Sequence, residues 1–85
     1  MRVRIPSPLL SYTGQREVEA GGATLGEVLA DLDRQYPGLR FRVVDEQQHL
    51  RPHMRAFVGQ LELRDLHSPL SMQETLHLIQ ALSGG

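Results

Sequence analysis

TLGEVLADLDRQYPG, residues 24–38, reads as one amphipathic helix with both of its ends marked. Thr24 followed by Glu27 is a capping box, in which the hydroxyl accepts a backbone N–H and the carboxylate reaches back across the first turn. Leu25, Val28, Leu29, Leu32 and Tyr36 recur at i, i+3, i+4, i+7 and i+11, a single apolar stripe at the helical period. Pro37 and Gly38 stop it. Gly26 lowers helix propensity, but it sits in the first turn where the cost is small. A stripe of this kind has to be buried, and in a chain of 85 residues the rest of the sequence supplies the surface that buries it.

That surface is a sheet. Upstream, Met1, Val3 and Ile5 alternate with Arg2 and Arg4, the pattern of a half-buried strand, which Pro6 and Pro8 end. After a turn region around Ser11–Gln15, Val18 and Ala20 alternate with Glu17 and Glu19 in a second short strand closed by Gly21 and Gly22. Downstream, residues 39–52 lose periodicity and are expected to form a short extended or 3₁₀ segment followed by a polar loop. Alternation returns with Met54, Ala56 and Val58 on one face and Arg55 and Phe57 on the other. Gly59 and Gln60 make a turn or bulge, Leu61 and Leu63 begin a return strand, and Pro69 punctuates the next loop. The last strand is expected over residues 75–83, with Leu76, Leu78, Gln80 and Leu82 opposed to Thr75, His77, Ile79 and Ala81. Two hairpins cradling one helix, with the first and last strands adjacent and parallel, give an α+β fold of the ubiquitin-like β-grasp arrangement, a mixed sheet of four to five strands on one main helix. The expected organisation is a single domain over residues 1–85 with a flexible Gly-Gly tail at 83–85.

Composition excludes several functions. Without cysteine there is no disulfide framework, thiolate metal site or cysteine nucleophile, and a cytoplasmic location is the default. A formal net charge of −1 gives no field that favours nucleic acid or an anionic membrane. No apolar run reaches signal-peptide or membrane-spanning length. All nine basic residues are arginine, so an activated carboxyl group on this chain would meet no lysine amine of its own.

No constellation assembles an active site. His49 and His53 stand four apart, but Pro52 lies between them and no third ligand joins, so they read as a solvated loop rather than a metal site. Ser71, Ser83 and Thr13 lack a nucleophile context. Gly21 and Gly22 lack phosphate-loop spacing, and Asp31 and Asp33 flank the helix's apolar stripe as solvated acids. His77 is a candidate surface contact. The unusual feature is LIQALSGG, residues 78–85. Two residues without side chains after a strand can thread a channel too narrow for any other residue and present a carboxylate for activation as an acyl adenylate. The competing reading is a frayed end.

The first strand through MRVRIP, the helix TLGEVLADLDRQYPGL, the strand end FVGQ, the approach SPLS and the terminal ALSGG together resemble the MoaD/ThiS family of ubiquitin-like sulfur carriers over nearly the whole chain. The long connection at residues 39–52 is more similar to the molybdopterin-synthase small subunit and to carriers serving cysteine or specialised metabolites than to the shorter thiamine carrier. The family's usual Asp-Gly-Asp before the last strand is replaced here by Ser71, Met72, Gln73 and Glu74. The resemblance implies a carrier rather than an enzyme, with no cofactor of its own. A ubiquitin-activating-enzyme-like adenylyltransferase would use ATP to adenylate Gly85, and a rhodanese or cysteine-desulfurase type of donor would convert it to a thiocarboxylate. An acceptor synthase would then take the sulfur, for molybdenum cofactor, thiamine, cysteine or another metabolite. Leu82, Ser83 and Gly84 would thread the partner's active site. The chain is expected to be a monomer when free.

Strand parity adds a surface. With Met1, Val3, Ile5, Met54, Ala56, Val58, Leu76 and Leu78 facing the helix, Arg2, Arg4, Arg55, Phe57, His77 and Ile79 share the open face, and exposed apolar groups beside arginines compose a docking patch. Two other functions remain open. One is a ubiquitin-like modifier forming isopeptide bonds; the other is a non-catalytic β-grasp interaction module with an inert end.

Overall fold

A computed structural model describes residues 1–81. The alternating starts of the chain become strands. β1 (Arg2–Arg4) and β2 (Glu17–Glu19) pair antiparallel with Val3 opposite Val18, and both bury their apolar parity. β3 (Met54–Val58) and β4 (Leu61–Leu63) form the second hairpin, with Ala56 opposite Leu63. β5 (Thr75–Gln80) runs parallel to β1 and antiparallel to β3, giving the order β2-β1-β5-β3-β4. The sheet is mixed and five-stranded, with the main helix on one face, which is the expected α+β β-grasp arrangement.

Three short elements form helices. A 3₁₀ turn, Ser7–Leu9, runs into α1 (Leu10–Thr13), where only a turn region was expected. Pro8 fits the start of such a turn because it has no N–H to satisfy, and Leu9 is driven inward as a fully buried anchor. The second correction concerns residues 39–43. They form neither an extended segment nor a 3₁₀ turn but α3 (Leu39–Val43), which buries Leu39 and Val43 completely and turns Phe41 outward.

α2 (Leu25–Gln35) is the helix the capping box announces. Thr24 Oγ1 accepts the Glu27 N–H at 3.2 Å, while Glu27 Oε1 accepts from Ala23, one residue before the cap, at 2.9 Å. Two further N–H groups of the first turn, on Leu25 and Gly26, donate to the carbonyls of Ser68 and Leu66, so the orphan donors of the helix start are met by the loop ahead of β5. Leu25, Val28, Leu29 and Leu32 are fully buried against the sheet, each burial contributing roughly 2 kcal/mol before chain entropy is charged against it. The helix closes at Tyr36, whose N–H bonds Leu32, and Asp33 accepts the N–H groups of Gly38 and Arg40 to hold the turn into α3.

β5 stops at Gln80, short of the expected Ser83. Its neighbour β3 begins at Met54. One more bond, Ala81 N–H to His53 O at 2.8 Å, follows the last paired residues. Leu82, Ser83, Gly84 and Gly85 lie outside the described residues, as does the expected tail at 83–85.

Candidate docking face and carboxyl-terminal exit

Register across the five strands lines up one continuous row on the open face. Glu17 on β2 stands beside Arg4 on β1, Arg4 beside His77 on β5, His77 beside Phe57 on β3, and Phe57 beside Glu62 on β4. Arg55 opposite Ile79 begins the next row toward the carboxyl-terminal end of β5, and Arg2 opposite Thr75 lies in the row at its other end. The six residues expected on this face are thus brought together. Phe57, His77 and Ile79 line one shallow depression with Gly59 and Gln60, and Ile79 is 45% exposed, high for an isoleucine in the central strand.

Carboxylates at the two edges organise the arginines. Glu17 takes Arg4 at 3.0 Å and Arg2 at 3.6 Å, and Glu62 takes Arg55 at 3.8 Å and Arg64 at 3.4 Å. Exposed pairs of this kind contribute little stability, but they hold the guanidinium groups at the rim and leave the centre apolar. The sequence reading omitted Glu17, Glu62 and Gln60 from this face. The parity that placed Arg4 and Phe57 there holds equally for Glu17 and Glu62 and could have included them.

The remaining candidates are structural. Asp31 accepts the Gly21 N–H at 3.0 Å, Arg34 Nη2 at 2.6 Å and Gln35 Nε2 at 3.0 Å, tying the end of β2 to α2. Those donors, the Gly21 N–H foremost and Arg34 next, hold its carboxyl below the ordinary aspartate value. Asp45 is lowered likewise, first by the His49 N–H, which it accepts together with the Gln47 N–H in a turn. His49 therefore belongs to that turn and His53 to the exit of β5. Among the described residues no three metal-ligating side chains converge. Thr13 Oγ1 bonds its own turn at Gln15, and Ser71 Oγ accepts the Gln73 N–H. Among the described residues no helix is long and apolar enough to cross a membrane.

The arrangement presents a patch of Phe57, Ile79 and His77 flanked by ion pairs, two of its three side chains on the strand that precedes the carboxyl terminus in sequence. No family model matches the chain. The sulfur carrier protein CysO of Mycobacterium tuberculosis is 30% identical over 89 residues, covering 98% of this chain and 96% of the relative. Among solved structures, a chain of the Amycolatopsis orientalis BexX/CysO complex superposes with a TM-score of 0.91 at 31% identity, covering 99% of this chain and 98% of that one. SAMP1 from Haloferax volcanii superposes at 0.78 with 26% identity, covering 100% and 98%. Fold, length and sequence agree over the whole chain: it belongs to the CysO-type sulfur carrier proteins, ubiquitin-like β-grasp carriers of the MoaD/ThiS kind.

Proposed function

We propose that this carrier is loaded at Gly85, with that residue as its free end. A ubiquitin-activating-enzyme-like adenylyltransferase docks on the Phe57, His77 and Ile79 patch and joins the Gly85 carboxylate to the α-phosphate of ATP, releasing pyrophosphate. The outer sulfur of a persulfide on a rhodanese or cysteine-desulfurase type of donor then displaces AMP, giving an acyl disulfide, and a second thiol, of the donor or of a small-molecule reductant, cleaves it to leave the thiocarboxylate and a disulfide. An acceptor synthase takes that sulfur into a metabolite, and the chain works in the cytoplasm as a monomer between these encounters. Leu82, Ser83 and Gly84 are the stretch that enters each partner. The observation that supports this reading is that one strand, β5, bears two of the three docking side chains and is the element that precedes the Gly-Gly end in sequence.

The similarity to SAMP1, solved also as "small archaeal modifier protein 1", supports a second reading in which the same acyl adenylate is passed to lysine amines of other proteins. The two differ only in the nucleophile. The deciding experiment is the intact mass of the purified protein before and after incubation with ATP, a sulfide source and an adenylyltransferase from the same organism. A shift equal to replacement of one oxygen by sulfur, lost when Gly85 is deleted, is expected. Lysine-linked conjugates in extract would instead favour the modifier. A mass that never moves, while the same enzyme loads another carrier, would leave an interaction module with an inert end.

A further inference from the structure

Arginine charge is distributed unevenly over this surface. Arg2, Arg4, Arg34, Arg55 and Arg64 pair with carboxylates, whereas among the described residues Arg16, Arg40, Arg42 and Arg51 make no ion pair. Three of those four lie on α3 and the lead into β3. Arg51 is held in a fixed position there. Its Nε–H donates to Phe41 O at 2.7 Å, and its guanidinium lies 4.5 Å from the centroid of the Phe41 ring. Phe41 itself is 55% exposed, so the pair forms a platform at the surface, and Arg42 and His53 complete a shallow concavity around it. The nearest acid in sequence, Asp45, accepts the N–H groups of Gln47 and His49 and attracts Arg51 through space without forming a direct ion pair, so the Arg51 guanidinium keeps its donors free on the outward side.

Position gives this platform its meaning. His53, which lines it, supplies the carbonyl that holds Ala81 N–H, the last described backbone bond before the tail. Any enzyme that draws the tail into an active site must close around Ala81, and it then meets the platform at one flank of the exit and the Phe57 and Ile79 patch on the sheet. We infer that the Phe41, Arg42 and Arg51 platform is a second docking element, which binds a carboxylate-bearing segment of the adenylyltransferase beside its tail channel. This rests on the loading of Gly85 proposed above. A guanidinium preset on an aromatic face suits a carboxylate, because its fork loses little freedom on binding. The phosphates of ATP are a poorer fit. They react at Gly85, four residues beyond Ala81 in sequence and inside the enzyme's own nucleotide site.

The test compares loading kinetics of the wild type, an Arg42→Glu/Arg51→Glu double variant, an Arg42→Gln/Arg51→Gln double variant and Arg16→Glu, each checked by thermal melting. Arg16 leads into the edge strand β2 and serves as a control for general charge. Charge reversal is expected to raise KM for the carrier about tenfold at low salt with kcat unchanged, and the neutral pair about threefold. The difference should shrink as ionic strength rises, while Arg16→Glu stays within about twofold. Should the reversed variant fail to fold, the neutral pair carries the comparison. Unchanged KM in the platform variants, or an equal rise in Arg16→Glu, overturns the platform while leaving loading at Gly85 intact. Shifts of the Phe41 and Arg51 resonances on adding ATP alone overturn the carboxylate assignment in favour of nucleotide. A wild type that is never loaded removes the reading beneath both.

Discussion

Phe57 and His77 stand opposite one another across the antiparallel pairing of β3 and β5, and through the parallel pairing of β5 with β1 the same row continues to Arg4. The centre of the open face is therefore assembled from three strands that are distant in sequence. A Phe57→Asp/Ile79→Asp double variant removes its apolar middle without touching the helix side. Loading by the adenylyltransferase is expected to fall at least tenfold, since each side chain forfeits roughly 2 kcal/mol of burial in the complex. The initial rate of thiocarboxylate formation by mass spectrometry, alongside an unchanged melting temperature, checks this. Wild-type loading by the folded variant would rule the patch out.

At Gly22 the chain passes close against the first turn of α2. A Cβ there would lie 2.7 Å from the backbone nitrogen of Val28, an atom that cannot move without displacing the helix. Gly22→Ala is expected to cost about 2–3 kcal/mol by overpacking, a fall of roughly 10 °C or more in Tm. Gly14 has left-handed φ but no atom within 4 Å, so Gly14→Ala should cost only about 1 kcal/mol. Both glycines have positive φ, +155° at Gly22 and +69° at Gly14, so the excess loss in Gly22→Ala by urea denaturation reads the steric part.

Asp31 makes the fold sensitive to acid. Its folded-state pKa is depressed, so its contribution is present above the unfolded aspartate value of about 3.9 and is lost as pH falls through the lower folded value. Asp31→Asn should therefore lower Tm at neutral pH, and the gap to wild type should close progressively below about pH 4. A gap that persists at about pH 2 would mean that packing, and not the ionised carboxylate, is what the residue supplies.

Residues 39–43 give a test of α3. Leu39 is fully buried, so Leu39→Ala should cost about 2–5 kcal/mol, whereas Phe41→Ala should leave stability nearly unchanged. Equal losses by chemical denaturation would show that Phe41 supports the core.

The same segment shows where reading the sequence stops. Residues 39–52 carry no sustained period, and the i, i+4 pair Leu39 and Val43 is too short a pattern to announce a helix. The turn that starts α3 is held by the Asp33 carboxylate accepting the Gly38 and Arg40 N–H groups, a side-chain contact that hydrophobic periodicity does not register. α2 was legible because cap, stripe and stop all agree. The open face was legible because parity in a strand assigns every other side chain at once. What parity alone could not give was the pairing of Arg4 with Glu17 or of Arg55 with Glu62, which depends on register between strands. Nor could it reveal the platform at Arg51, which arises where two segments of the long connection meet.

The central position of β5 has a consequence during synthesis. The strand that fills the middle of the sheet is the last one made, so neither hairpin can complete the core, and the row from Glu17 to Glu62 does not exist, until the chain has been translated past Gln80. Closing β1 onto β5 brings together segments separated by nearly the whole chain, a slow step compared with either hairpin. On the loading proposed above, the order of translation acts as quality control: a nascent or truncated chain would lack the proposed docking surface, and ATP would be spent only on carriers that have finished folding.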